Sequence, residues 1–288
     1  MNHLWNAFRP SVTLALLLTA TAPASAQDET EWRRVDPASI AYMRLPGGEV
    51  TIELNAEFAP ATVAQFRRLV RDGFYDGLGF YRVVDGFVAQ GGDGSDMADA
   101  NSEPMLPAEF ERRWSDDLPF TSVQKPDMFA PETGFIDGFA AGRDRQSRRV
   151  WLTHCPGVIA MARNDGPDTG STDFYIVIGQ APRYLDRNLT IFGRVVSGMD
   201  VVHRVIRGPS EANGMIAEGE PRTIIEQIVL AQDRPAAGRK SVQVADTSSA
   251  EFRKVLQSRK KRGPPFFHHK PPEVLDVCQI PVATRIGQ

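Results

Sequence analysis

The sequence predicts a mainly β domain, an antiparallel sheet or barrel with two amphipathic helices packed on it. Two observations lead there. Short apolar runs alternate at period two between turn residues along residues 40–232, outside one long interruption. Only two stretches change to helical spacing, too few for a βαβ repeat. Composition agrees: 288 residues, 42% hydrophobic and 24% charged, exclude collagen-like, coiled-coil and wholly disordered chains.

The first 26 residues stand apart from that domain. His3 and Arg9 precede an uncharged stretch from Val12 to Ala26 whose apolar centre runs from Leu14 to Leu18. It ends in Ala24-Ser25-Ala26, small residues at the −3 and −1 positions of a cleavable secretory signal. The stretch falls short of the roughly 20 apolar residues of a membrane span, which disfavours the alternative of an uncleaved anchor. Cleavage after Ala26 is expected. The exported chain then starts at Gln27 and reaches the domain through a linker, residues 27–39.

The elements follow in order. Residues 40–55 read as a hairpin: Ala41, Met43 and Leu45 alternate before Pro46-Gly47-Gly48, and Val50, Ile52 and Leu54 alternate after it. Residues 59–72 turn helical, with Pro60 suited to the first turn and Val63, Phe66, Leu69 and Val70 on one face. Residues 80–90 return to a strand closed by Gly91-Gly92. Residues 158–162, 174–178 and 190–196 are further short strands. Ser197 is placed to N-cap a helix carrying Val201, Val202, Val205 and Ile206, and residues 223–230 are a last strand.

Two segments break the pattern. Residues 94–151 are rich in Asp, Pro, Gly and Arg and hold no period, so they read as a loop-like insertion ordered only where Phe110, Trp114 and Phe120 reach the core. Residues 233–288 read as a proline-punctuated basic extension with one short helix near residues 250–259. The net charge is −3, yet this extension holds eleven Lys/Arg against five Asp/Glu, which leaves an acidic body. That balance offers no case for a nucleic-acid partner. The seven Lys/Arg between Phe252 and Lys270 suit weak contact with an anionic surface, and a solvated, mobile tail is the plainer reading.

Export makes Cys155 and Cys278 a candidate disulfide, with two unpaired small hydrophobes as the alternative. His154, His268 and His269 lack the close ligand spacing of zinc motifs, so no metal is expected. Nucleophile elbows, His-Glu-x-x-His pairs and phosphate loops are absent. Gly91-Gly92-Asp93-Gly94 lacks dinucleotide spacing and Asp165-Gly166-Pro167-Asp168 lacks the carboxylates of a calcium loop; both read as turns.

Two regions carry more. One is Phe80-Tyr81-Arg82-Val83-Val84-Asp85-Gly86-Phe87-Val88-Ala89-Gln90-Gly91-Gly92-Asp93. The other is Gly157-Val158-Ile159-Ala160-Met161-Ala162-Arg163, followed by Gly170-Ser171-Thr172-Asp173-Phe174-Tyr175-Ile176, Tyr184-Leu185-Asp186 and Ile191-Phe192-Gly193-Arg194-Val195. In these strings the chain resembles the cyclophilin-type peptidyl-prolyl cis-trans isomerases, over residues 40–230 apart from the insertion.

The resemblance implies a closed eight-stranded antiparallel barrel with two capping helices and an active face on its outside; together with the export signal it leads us to expect a role in protein folding in the bacterial periplasm. It implies Arg82 as the catalytic arginine and Gln90 as the glutamine that binds the substrate backbone and places the arginine. Phe87, Val88, Tyr175 and Leu185 match the proline pocket, and Ala162 and Arg163 the backbone-binding segment beside it. Rotation about a peptide bond requires no cofactor. Asp173 stands where the family commonly has a substrate-contacting glutamine; as a carboxylate it only accepts, and it is placed to pair with Arg82 or Arg163. Tyr184 replaces the tryptophan of cyclosporin-sensitive members, and Leu189 stands where many have a pocket histidine. The implied partners are proline-containing polypeptides, met by a monomer. The alternative function is a cyclophilin-like module that binds proline peptides, or a chaperone, with little turnover.

Overall fold

The computed structural model describes residues 31–94 and 103–287; the secretory signal read in residues 1–26 lies outside them. The chain forms β1 (Trp32–Arg34), a hairpin of β2 (Ile40–Leu45) and β3 (Gly48–Leu54), helix α1 (Pro60–Arg71), and a second hairpin of β4 (Gly79–Val84) and β5 (Val88–Gly92). A meander follows, made of β6 (Arg112–Arg113), β7 (Thr121–Gln124), β8 (Glu132–Ile136), β9 (Phe139–Asp144) and β10 (Arg149–Leu152). Then come β11 (Val158–Met161), β12 (Phe174–Val177), β13 (Ile191–Ser197), α2 (Met199–Val202), β14 (Gln227–Leu230), β15 (Ser241–Ala245), α3 (Ala250–Lys260) and β16 (Thr284–Gly287).

Eight strands form one antiparallel sheet in the order β14-β2-β3-β13-β11-β12-β5-β4. It is an open half-barrel, with β14 and β4 at its edges, and not the closed barrel the sequence suggested. Only isolated bonds from the residues before β14 span the two edges: Ile225 donates to the Leu78 carbonyl at 2.7 Å, and Phe80 donates to that of Thr223 at 3.0 Å, with no continuous ladder between β14 and β4. Residues 80–90 likewise divide into two strands, because Gly86 turns the chain at φ 69°.

α1 places Val63, Phe66, Leu69 and Val70 among the inward residues of this sheet, with Phe66 ringed by Tyr75, Phe174 and Phe192 at 5.2–6.1 Å. Its N-cap, Ala59, has no side chain to offer. Glu109 substitutes, accepting from the Ala61 and Thr62 amides at 2.8 and 3.0 Å. α2 is a single turn that starts after Gly198, at φ 89°. Ser197 does not cap it, because it remains in the ladder opposite Thr51.

From residue 103 onward the insertion is a folded layer, contrary to the loop-like reading. Its strands make a second antiparallel sheet, β6-β10-β9-β8-β7, whose apolar side shares one core with outward residues of the half-barrel such as Val88, Ala160, Val177 and Ile191. The pattern was hidden because a buried ion pair occupies inward positions. Arg143 donates from Nε and Nη2 to the Glu132 carboxylate, both at 2.9 Å, and lies 3.8 Å over the Phe120 ring. Burial alone would raise the Glu132 carboxyl, but hydrogen bonds from Arg143, Ser122 and Arg145 overcome it and hold the group at about 2. Gly142 lies under Trp151, whose ring a Cβ would meet at 2.6 Å.

The C-terminal segment is also folded, and is not a mobile tail. β15 pairs with β1 and β16, and this small sheet covers Ile40 and Tyr42 on the outer side of β2 with Val242 and Val244. β1 and a 3₁₀ turn (Pro37–Ser39) thus lie within the expected linker. α3, capped by Ser249, lays Phe252 and Leu256 on the insertion sheet, where Phe252 meets Phe135 edge to face at 5.3 Å. Cys155 and Cys278 are bonded across 123 residues. Among the described residues no helix is long and apolar enough to cross a membrane.

Two outcomes are expected. Cys278→Ser should lower unfolding stability by about 5 kcal/mol, the chain-entropy value for so long a loop, with a denaturation midpoint equal to that of the reduced wild type. The Glu132 carboxyl is depressed by folding, so its contribution is present above the ordinary carboxylate range and disappears as pH falls toward 2. An acid titration of stability should show this loss in the wild type and not in Glu132→Gln.

Candidate active site

The β4–β5 hairpin carries the central residues. Phe80 and Val83 are both fully buried in the inner core although three apart, which leaves two outward residues between them. The ladder shows why: Phe80 pairs with Gly91 and Arg82 with Gln90, so Tyr81 is the extra residue of a bulge. Tyr81 and Arg82 therefore both reach Gln90.

Arg82 is held at two points. Its Nη1 donates to Gln90 Oε1 at 3.2 Å and its Nε to the Asn213 carbonyl at 3.2 Å. Among the described residues nothing accepts from Nη2, so that edge of the guanidinium is available. Beside it lies an apolar floor. Val88, Ala162 and Tyr175 are buried, with Phe87 and Leu189 half-buried against them. Tyr175 pairs across the ladders with Gln90 and Ala160. Leu185 is half-buried on the 3₁₀ turn Arg183–Leu185.

Three further candidate residues lie around this floor. Asp173 pairs with neither Arg82 nor Arg163; it is 3% exposed and accepts from the Tyr81 hydroxyl at 2.8 Å. Burial, set against that hydrogen bond and reinforced by the Asp93 charge, pushes its carboxyl up to about 6. Arg163 braces its own turn, donating to the carbonyls of Asn164 at 2.6 Å, Asp165 at 3.1 Å and Asn188 at 2.9 Å. Tyr184 is two-thirds exposed beside a surface recess of about 550 Å³ that it shares with Phe110 and Phe129.

Sequence reasoning missed the support beneath the floor. His154 is fully buried, with Nδ1 3.1 Å from Asp186 Oδ1 and Nε2 2.8 Å from the Tyr175 hydroxyl. With a carboxylate at Nδ1, that nitrogen carries the hydrogen and Nε2 accepts from Tyr175. Burial and the Asp186 charge raise the Tyr175 hydroxyl well above its ordinary range, so it stays protonated and able to donate. Arg183 donates to both Asp186, at 2.6 Å, and Asp127, at 3.2 Å. The sequence signal was His154 itself, considered there for zinc. Among the described residues no His, Cys, Asp and Glu cluster is arranged to hold a metal ion.

The half-barrel carries an anchored arginine at the margin of an apolar floor, and comparison with known proteins identifies its family. The family model described as cyclophilin type peptidyl-prolyl cis-trans isomerase/CLD matches residues 40–227, and the chain belongs to that family. A probable peptidyl-prolyl cis-trans isomerase of Brucella suis is 29% identical over 246 residues, 81% of this chain and 100% of that protein. Peptidyl-prolyl cis-trans isomerase ppi1 of Schizosaccharomyces pombe is 32% identical over 185 residues, 64% of this chain and 94% of that one. The crystal structure of cyclophilin AquaCyp293 from Hirschia baltica matches with a TM-score of 0.73 at 28% identity, covering 90% of this chain and 95% of that one. That likeness extends well beyond residues 40–227.

His154→Ala would leave Asp186 and the Tyr175 hydroxyl short of buried partners. It should destabilise the protein by roughly 2–4 kcal/mol and raise KM for an X-Pro peptide, as read by denaturant titration and steady-state kinetics.

Proposed function

We propose that this isomerase acts on X-Pro bonds of exported polypeptides and assists their folding in the periplasm, with Arg82 stabilising the twisted amide. Rotation about an X-Pro bond meets a barrier near about 20 kcal/mol because it breaks amide resonance. As resonance is lost, the proline nitrogen regains a lone pair and becomes a hydrogen-bond acceptor. Arg82 suits that moment. A guanidinium is a planar, delocalised cation, and the anchored Nε and Nη1 leave the Nη2 edge available without reorganisation. Phe87, Val88, Tyr175 and Leu185 hold the ring by burying it. No bond is made or broken, so the reaction asks only for grip and a placed charge.

The observation that carries this reading is the two-point fixation of Arg82 beside the apolar floor. Export rests on the signal read in residues 1–26, and a periplasmic protein whose mass begins at Gln27 would support it. In a cis-to-trans exchange assay on a short X-Pro peptide, Arg82→Ala should lower kcat/KM by about 10²–10³-fold while the peptide still binds. A variant as fast as the wild type removes Arg82 from the mechanism. A wild type that binds proline peptides without accelerating their exchange makes the protein a binding module.

A further inference from the structure

We propose that Asp173 is a positioning residue for the isomerisation, whose carboxylate acts through Tyr81 and Gln90 to set how Arg82 is presented. The inference rests on the reading of Arg82 above. Its basis is a continuous chain of hydrogen bonds in which every link has a direction. A carboxylate only accepts, so the Tyr81 hydroxyl donates to Asp173 Oδ2 at 2.8 Å. The Tyr81 oxygen is then left to accept, and it does so from Gln90 Nε2 at 2.5 Å. That turns Gln90 Oε1 to the opposite side, where it accepts from Arg82 Nη1 at 3.2 Å. If the polarity at Asp173 were reversed, the Gln90 amide would be free to flip and set its NH₂ against the guanidinium, donor against donor.

The carboxylate sits in a site shaped for it. A Cβ on Gly92 would stand 1.8 Å from Asp173 Oδ1, and one on Gly94 would stand 3.1 Å from the Tyr81 ring. The groups facing Asp173 are Tyr81 on β4, Asp93 beyond β5, Thr172 beside it, and Tyr75 between α1 and β4. None is a cation. Burial and the Asp93 charge push the carboxyl up to about 6, and the effect of its charge is transmitted by way of Tyr81 toward Arg82. When Asp173 takes up a proton its own hydroxyl becomes a donor toward Tyr81, and the order of the chain is lost.

The test compares the wild type with Asp173→Asn, Tyr81→Phe, Arg82→Ala and Asp173→Asn in the Arg82→Ala background, by peptide exchange and thermal unfolding. Asp173→Asn and Tyr81→Phe should each lower kcat about tenfold with little change in KM. Wild-type kcat should fall on the acid side of about pH 6, a limb missing in Asp173→Asn. Asp173→Asn should unfold at pH 7 no lower than the wild type, which a merely structural residue would not do. In the Arg82→Ala background the Asp173 change should have no further effect. A kcat within about twofold of wild type in both single variants overturns the proposal, as does an undiminished loss in the Arg82→Ala background. If Arg82→Ala is itself fully active, the earlier reading fails instead.

Discussion

A sheet that is apolar on both faces must be covered on both, and that requirement organises this molecule. α1 covers the inner face of the half-barrel. Outside, the small sheet of β1, β15 and β16 closes over β2, while the insertion sheet, itself backed by α3, closes over outward residues of β5 and β11 to β13. The segments that look like additions to a barrel are therefore its second and third layers. The β4–β5 margin is the part left accessible, and Arg82 and Phe87 stand there half-buried.

The site uses two buried carboxylates in opposite ways. Asp186 is met by Arg183 and His154, so it belongs to a compensated network that holds the Tyr175 ring. Among the described residues Asp173 is met by hydroxyls and an amide and by no cation. The first arrangement gives rigidity, and the second gives direction to a chain of neutral groups.

What the sequence disclosed follows the same physics. The β2–β3 hairpin and α1 were legible because their apolar residues keep one period and face one core. The Arg82 to Gln90 string was legible as a motif, and the spacing of Phe80 and Val83 held the sign of the bulge that places Tyr81. The insertion was not legible, because Glu132 and Arg143 satisfy each other inside and Gly142 leaves room for Trp151. The C-terminal layer was hidden by sparseness: Phe252, Leu256, Leu275, Val277 and Ile280 are buried but spread over too many residues to show a period. Asp173 was located in the sequence, but its partner was not, since only the fold brings Tyr81 to it.

Glu109 joins these layers at one atom group. It belongs to the insertion, is fastened by its amide to Thr190 at 3.1 Å, and supplies the acceptor for the first turn of α1. Any opening that withdraws it strips two amides at the start of the inner helix of their partner. The helix that fills the half-barrel and the sheet that covers it are thus coupled in free energy, and solvent exchange at Ala61 and Thr62 registers events in a layer on the opposite face of the molecule.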